Sequence, residues 1–344
     1  MSFNFIRKIP TQEEIISSIP MKEELKKVKD KRDEDLKRIF RKEDDRFIVI
    51  IGPCSADNED SVVDYVTRLA KLNEKLQDKL YIIPRVYTNK PRTNGEGYKG
   101  MLHQPSLDKE PNVSDGISAI RRLHMRILEE TGFTTADEML YPDNHVYLGD
   151  ILGYVAVGAR SVENQQHRLV SSGVDVPVGM KNPTSGTLSV MINSIHAAQI
   201  KHEFIYHDWE VQTMGNEYAH AILRGYVNKK DQCTPNYHYE DLINTIEFYK
   251  KAKLKNETII VDVSHSNSNK DYRQQMRISK EVLHSIKVDE EIKKYVRGIM
   301  VESYIVEGRQ DICENRIYGK SVTDGCIGWE ETEELLNYLW VNIK

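Results

Sequence analysis

A thiol, an imidazole and two carboxylates stand at Cys54, His265, Glu302 and Asp324, and six cations stand at Arg85, Lys90, Arg92, Arg160, Lys181 and Arg224. Neither group is closely spaced along the chain, but most members share a place: each directly follows a short apolar run. A thiolate–imidazole–carboxylate set suits a divalent transition ion such as Mn, Fe, Co or Zn better than Mg or Ca, which prefer all-oxygen shells. A bound cation would keep Cys54 deprotonated near neutral pH. Taken singly, each ligand is weak evidence, because a Cys after a Gly-Pro turn is ordinarily a small buried hydrophobe. Guanidinium groups suit planar, bidentate recognition of carboxylate and phosphate, and ammonium groups act as compact point charges. Six such cations gathered at one rim would repel one another unless an anion joined them. The expected substrates therefore carry several negative charges, phosphates foremost. The segment NKPRTNGEGYKG, residues 89–100, adds a Gly-rich loop in which Pro91 fixes φ, and Arg92 and Thr93 could grip a phosphate.

These residues need elements that bring them together. Eight β-like runs recur: FIVIIGPC ends at Cys54, LYIIPR at Arg85, TTADE at Glu138, YVAVGAR at Arg160, PVGMK at Lys181, EFIYHD at His207 and Asp208, TIIVDVSH at His265, and GIMVE at Glu302. Strands buried on both faces read as continuous hydrophobic runs, so the alternation with helix-like stretches predicts a (β/α)8 TIM barrel. In that fold the site sits at the carboxyl ends of the strands, where first and last strands are neighbours. Residues 209–238 are oversized for a connection and contain the run AILRG; they read as a β-hairpin-like insertion after the sixth strand, bearing Arg224. Helices are expected over Asp57–Leu76, Asp115–Leu128 with Gly132 as a stop, Ser161–Ser171, Ser185–Ile200, Tyr239–Leu254, Asp271–Ile286 and Trp329–Ile343.

Residues 1–46 read as an N-terminal helical extension with an oligomeric or regulatory role, and residues 47–344 as the catalytic barrel. Thr11 and Glu14 have capping-box spacing, and Ser18 with Pro20 suggests a second helix start. Leu25, Val28, Leu36, Ile39 and Phe40 then form one narrow apolar stripe, which could close the barrel floor, sit between subunits or carry an effector site. The chain holds 48 basic and 53 acidic residues, a formal charge of −5, with no basic stripe. That argues against a nucleic-acid partner. No run approaches the roughly 20 apolar residues of a membrane span. Four scattered cysteines argue against a disulfide framework, and the start lacks a signal-peptide pattern, so a reduced cytoplasmic protein is expected.

The motifs IGPCS (51–55), RVYTNKPRT (85–93), VGAR (157–160), GMKN (179–182), ILRG (222–225), DVSHSNSNK (262–270), MVESYIVEG (300–308) and SVTDGCIGWE (321–330) together resemble type I 3-deoxy-D-arabino-heptulosonate 7-phosphate (DAHP) synthases, of the phenylalanine/tyrosine-sensitive-like kind. The resemblance runs from about residue 46 to the C-terminus. It implies condensation of phosphoenolpyruvate with erythrose 4-phosphate, releasing phosphate, on a metal-dependent TIM barrel: the first step of the shikimate route. Carried over position by position, it implies Cys54, His265, Glu302 and Asp324 as metal ligands. It places phosphoenolpyruvate against Arg85, Glu138, Ala159, Arg160, Lys181 and Arg224, and erythrose 4-phosphate against Lys90, Pro91, Arg92 and Thr93. Lys90, His265 and Lys181 are the catalytic candidates, with Lys90 and His265 unranked for proton transfer. A homodimer or homotetramer and an aromatic amino acid effector are further implications. LYPDNHVYL (140–148), Asp175 and Tyr206 depart from the pattern of the phenylalanine-sensitive form, whereas Phe204 matches it. Two rivals stand: the related 3-deoxy-D-manno-octulosonate 8-phosphate synthases carry a KANR-type loop where this chain reads KPRT, and a metal-dependent class II aldolase would not need phosphoenolpyruvate.

Overall fold

A computed structural model describes residues 2–92 and 94–343 of the 344-residue chain. Eight parallel strands form its centre: β1 (Phe47–Gly52), β2 (Leu80–Pro84), β3 (Ala136–Glu138), β4 (Tyr154–Val157), β5 (Val178–Lys181), β6 (His220–Leu223), β7 (Ile259–Asp262) and β8 (Val296–Glu302). Their order is β2-β1-β8-β7-β6-β5-β4-β3. A parallel bridge between Arg85 and Ala136 joins the two ends, so the sheet closes on itself. Every residue of these eight strands is buried, as a parallel sheet covered by helices requires. The expected (β/α)8 barrel is what forms.

Helices ring the barrel: α3 (Glu59–Leu76), α4 (Val113–Thr131), α5 (Gln165–Ser171), α6 (Leu188–Gln199), α7 (Tyr239–Ala252), α8 (Gln275–Val288), α9 (Glu290–Tyr295) and α10 (Trp329–Asn342), after α1 (Gln12–Ser18) and α2 (Glu23–Phe40). Small polar caps set several starts one to three residues from the expected points. Asn58 rather than Asp57 caps α3, and Asn112 rather than Asp115 caps α4. Gly132 does end α4, in the left-handed conformation at φ 71°. The Thr11–Glu14 capping box of α1 is present. α2 begins at Glu23 without a side-chain cap, not at Ser18 or Pro20.

The extension meets the barrel at its floor. Leu36, Ile39 and Phe40 at the end of α2 join a buried cluster with Ile48, Ile50, Tyr154, Ile222, Ile260 and Met300, the inward-facing strand residues. Phe40 lies edge-on to His220, with ring centroids 4.7 Å apart. The apolar stripe of α2 therefore plugs the amino-terminal end of the barrel, one of the three roles its pattern allowed.

One strand assignment changes. The run EFIYHD does not enter the barrel: His202–Tyr206 pairs antiparallel with Trp209–Thr213 in a hairpin outside the barrel sheet, turned at His207 and Asp208, both at positive φ. The sixth barrel strand is instead HAIL, His220–Leu223, which overlaps the run AILRG assigned to the insertion. The reason is two-sided burial. Along His202–Tyr206 half-buried and exposed positions alternate and Ile205 is 81% exposed, while all four residues of His220–Leu223 are buried. A small hairpin, Tyr226–Val227 with Cys233–Thr234, does follow this true sixth strand. All four cysteines are free, and among the described residues no helix is long and apolar enough to cross a membrane.

Candidate active site

The first half of the rim gathers potential cation ligands. Cys54 follows the Gly52–Pro53 exit of β1 and is buried; Glu302 ends β8; Asp324 comes from the loop before α10. One donor atom from each of these three lies within 4.8 Å of the others. His265, three residues beyond β7, brings Nε2 to 3.8 Å from Glu302 Oε1. Lys90 Nζ reaches into the same group, 2.8 Å from Cys54 Sγ and 2.7 Å from Asp324 Oδ2. A positive charge is thus already called for at this point. The donors are a thiol, an imidazole and two carboxylates, three from neighbouring strand exits and Asp324 from a loop, so the residues fit a divalent transition ion.

Asp262, the last residue of β7, orients the imidazole. Its Oδ2 lies 2.9 Å from His265 Nδ1, and Ser264 Oγ pairs with the same nitrogen at 2.8 Å, which leaves Nε2 facing the rim. Ser264 Oγ donates to Asp262 Oδ1 at 2.6 Å. Burial opposes ionisation of Asp262, but the neighbouring His265 and Lys181 hold its carboxyl well below the usual range. Burial, reinforced by Glu302, pushes the Cys54 thiol up to about 11. Taking up a cation there would mean releasing the thiol proton.

The second half is cationic. Arg85 is buried, donates to Glu302 Oε1 at 2.9 Å and to Cys54 O at 3.3 Å, and stacks 4.0 Å from the Tyr87 ring centroid. Lys181 Nζ lies 3.3 Å from Glu138 Oε2 and 3.9 Å from Asp262 Oδ2. Burial works against a charged Glu138, yet Lys181 and Arg85 keep its carboxyl below the ordinary value. Burial lowers the Arg224 guanidinium. Gly158 makes room for Glu138: a Cβ there would fall 2.6 Å from its Oε1. Arg92 Nε donates to Tyr98 O at 2.9 Å, folding the loop after β2 back on itself.

Cys54, Arg85, Lys90, Pro91, Arg92, Glu138, Ala159, Arg160, Lys181, Arg224, His265, Glu302 and Asp324 all line one cleft of about 310 Å³ at the carboxyl ends of the strands. Thr93 lies outside the described residues. Seven lysine and arginine side chains line this cleft against three carboxylates. It is therefore built to receive anions. Asp262 and Tyr87 were not singled out from the sequence. Asp262 had a usable signal, an acid three residues before a strand-end histidine in DVSH. Tyr87 had none.

The family model described as "DAHP synthetase I family" matches residues 20–337. The Phe-sensitive phospho-2-dehydro-3-deoxyheptonate aldolase of Escherichia coli (strain K12) is 40% identical over 314 residues, covering 89% of this chain and 86% of that protein. The Tyr-sensitive enzyme of Salmonella typhimurium is 38% identical over 301 residues, covering 85% and 81%. A solved structure of phospho-2-dehydro-3-deoxyheptonate aldolase from Francisella tularensis SCHU S4 superposes with a TM-score of 0.92 at 31% identity, over 100% of this chain and 98% of that one.

Proposed function

The chain belongs to the DAHP synthetase I family, and from that premise we propose that it condenses phosphoenolpyruvate with erythrose 4-phosphate to DAHP, releasing inorganic phosphate. The observation that carries this reading is the single cleft in which an anion cradle adjoins a soft-ligand cation group. A divalent ion held by Cys54, His265, Glu302 and Asp324 would supply Lewis acidity where negative charge develops. Mn, Fe, Co and Zn all suit that donor set.

Arg85, Arg160, Lys181 and Arg224 bind and orient the phosphoenolpyruvate anion in this reading, while Lys90, Pro91, Arg92 and Thr93 take the four-carbon sugar phosphate. C3 of phosphoenolpyruvate attacks the aldehyde carbon, water adds to C2, and the C2–O bond to phosphate then breaks. Arg160, Lys181 and Arg224 stay paired with the departing phosphate. The ion pairs of Arg85 with Glu302 and of Lys181 with Glu138 fix two cradle cations before any substrate arrives. Such preorganisation can contribute several of the roughly 7–11 kcal/mol available to well-oriented reactants. Lys90 and His265 remain the proton-transfer candidates, each within reach of the cation ligands.

The test is phosphate release from phosphoenolpyruvate with erythrose 4-phosphate or arabinose 5-phosphate, with and without chelator. Turnover with the four-carbon acceptor, lost on chelation and restored by a divalent ion, supports the reading. Preference for the five-carbon acceptor, or activity indifferent to chelation, contradicts it. A cytoplasmic homodimer or homotetramer, with residues 1–46 at the subunit contact and an aromatic amino acid as effector, completes the proposal. Near the segment that departs from the phenylalanine-sensitive pattern, Tyr206 donates to Pro142 O at 2.9 Å. Because that segment, Asp175 and Tyr206 depart from the phenylalanine-sensitive pattern, weak or altered phenylalanine inhibition is expected.

A further inference from the structure

The loop assigned to the sugar phosphate hangs from the thinnest seam of the barrel. β1 and β2 share five register pairs, and β3 and β4 share three, but β2 and β3 meet at the single bridge of Arg85 with Ala136. Val86 N still donates to Ala136 O at 2.8 Å, and then the two backbones part. Glu138 O accepts from Leu140 N, and Met139 N turns to Ala156 O. The next donor on the β2 side is Thr88 N–H, and it finds a side chain instead of a strand.

That side chain is Asp137, 3% exposed on β3. Its Oδ1 accepts from Thr88 N at 2.9 Å and from Glu138 N at 2.7 Å. Its Oδ2 accepts the Thr88 hydroxyl and lies 3.3 Å from Nε2 of the fully buried His124 on α4. The other His124 nitrogen faces Thr135 Oγ1 at 2.7 Å. A buried carboxylate is tolerated when its oxygens are met by donors, and all four of these groups meet it. Thr88 is also where the loop closes: its carbonyl accepts from Leu102 N at 3.3 Å, and Lys90 N donates to Lys99 O at 3.0 Å. Gly100 permits that approach, since a Cβ there would lie 2.3 Å from Thr88 O.

We propose that Asp137 is a positioning residue: its carboxylate continues the β2–β3 seam past the last backbone bridge and clasps the root of the sugar-phosphate loop to Glu138. It touches no reacting atom. It fixes the spacing between Lys90 and Arg92 on one arm and the Glu138–Lys181 pair on the other, and so the register of the two substrates. This rests on the assignment of the 90–93 loop to the acceptor made above.

The experiment uses the full-length, metal-loaded protein and the variants Thr88→Val, Thr88→Ser, Asp137→Asn and Asp137→Ala. Thr88→Val removes one hydroxyl and Asp137→Asn replaces one acceptor oxygen, so both keep the fold within reach. Each is expected to raise the KM for erythrose 4-phosphate about tenfold while moving that for phosphoenolpyruvate less than about twofold. Thr88→Ser should restore the acceptor KM, and Asp137→Ala should be worse than Asp137→Asn. Hydrogen exchange should quicken over residues 86–92 in both Asp137 variants and stay unchanged in β6 and β7. Two substrate constants that move together, a Thr88→Ser variant as poor as Thr88→Val, or unchanged exchange over residues 86–92 would overturn the proposal. Wild-type protein indifferent to erythrose 4-phosphate would instead remove the acceptor assignment, and the exchange result would still judge the clasp.

Discussion

The two ends of this barrel are built from opposite materials. At the floor, Phe40, Leu36 and Ile39 fill the interior against Ile48, Ile260 and Met300, with a neutral, hydrogen-bonded Tyr154–His220 pair beside Phe40. There Tyr154 donates its hydroxyl to His220 Nε2 at 2.8 Å, while His220 Nδ1 donates to Tyr218 O at 2.8 Å. At the rim, Arg85, Lys181, Glu138, Glu302 and Asp262 are all buried ionisable groups at strand ends. Burial opposes charge at Glu138 and Asp262 and neighbouring cations offset it, and such arrangements are often no more stable than apolar packing. The floor therefore carries stability and the rim carries chemistry.

The sharpest break of that division comes from Cys54→Ala. A lost ligand should cost turnover more than the roughly 10–100-fold typical of outer-shell partners, with the unfolding midpoint of the metal-free protein nearly unchanged. A large fall in the midpoint would mean that the rim also holds the fold together. Phe40→Ala is the mirror experiment. It should cost about 3–5 kcal/mol in denaturant unfolding, while kcat per folded molecule stays at the wild-type value. Reduced kcat in the folded fraction would show that the plug shapes the site.

Asp262→Asn sharpens the rim side. Without the carboxylate that holds Ser264 and lies 2.9 Å from His265 Nδ1, metal affinity measured by competition with a chelator should fall about 10–100-fold. Unaltered affinity would leave Asp262 as a structural acid. The smallest effect is at the floor and depends on pH. Burial lowers His220 from 6.5 to about 4. Above 6.5 both folded and unfolded chains hold it neutral, and stability is complete. As pH falls from 6.5 toward about 4 the unfolded chain binds a proton that the native one refuses, so stability declines, by up to about 3 kcal/mol at roughly 1.4 kcal/mol per unit. His145, likewise lowered by burial to about 4, behaves the same way. His220→Asn should therefore shrink the acid-side decline without abolishing it. An identical slope in the variant would show that His220 is not the source.

The same contrast explains what could be read from the sequence. The floor and the strands were legible because burial on both faces writes itself as unbroken runs such as FIVII and YVAV. The rim was legible because those runs end in residues that apolar packing does not need. The sixth strand was misplaced because EFIY is as apolar as HAIL in composition; only the half exposure of the hairpin separates them, and exposure is not written in a four-residue run. Asp137 was passed over because a carboxylate inside a strand gains its meaning from partners elsewhere in the chain, here Thr88 and His124, whereas Asp262 had a local signal in DVSH that went unused.

The central claim is that the rim assembles a cation site from Cys54, His265, Glu302 and Asp324 beside the anion cradle. X-ray absorption at the metal edge of the protein loaded with one equivalent of Zn or Co tests it most directly. The account predicts one sulfur scatterer at about 2.3 Å, accompanied by nitrogen and oxygen ligands and absent from the Cys54→Ala variant. A first shell of oxygen and nitrogen alone in the wild-type protein, identical in that variant, would contradict it.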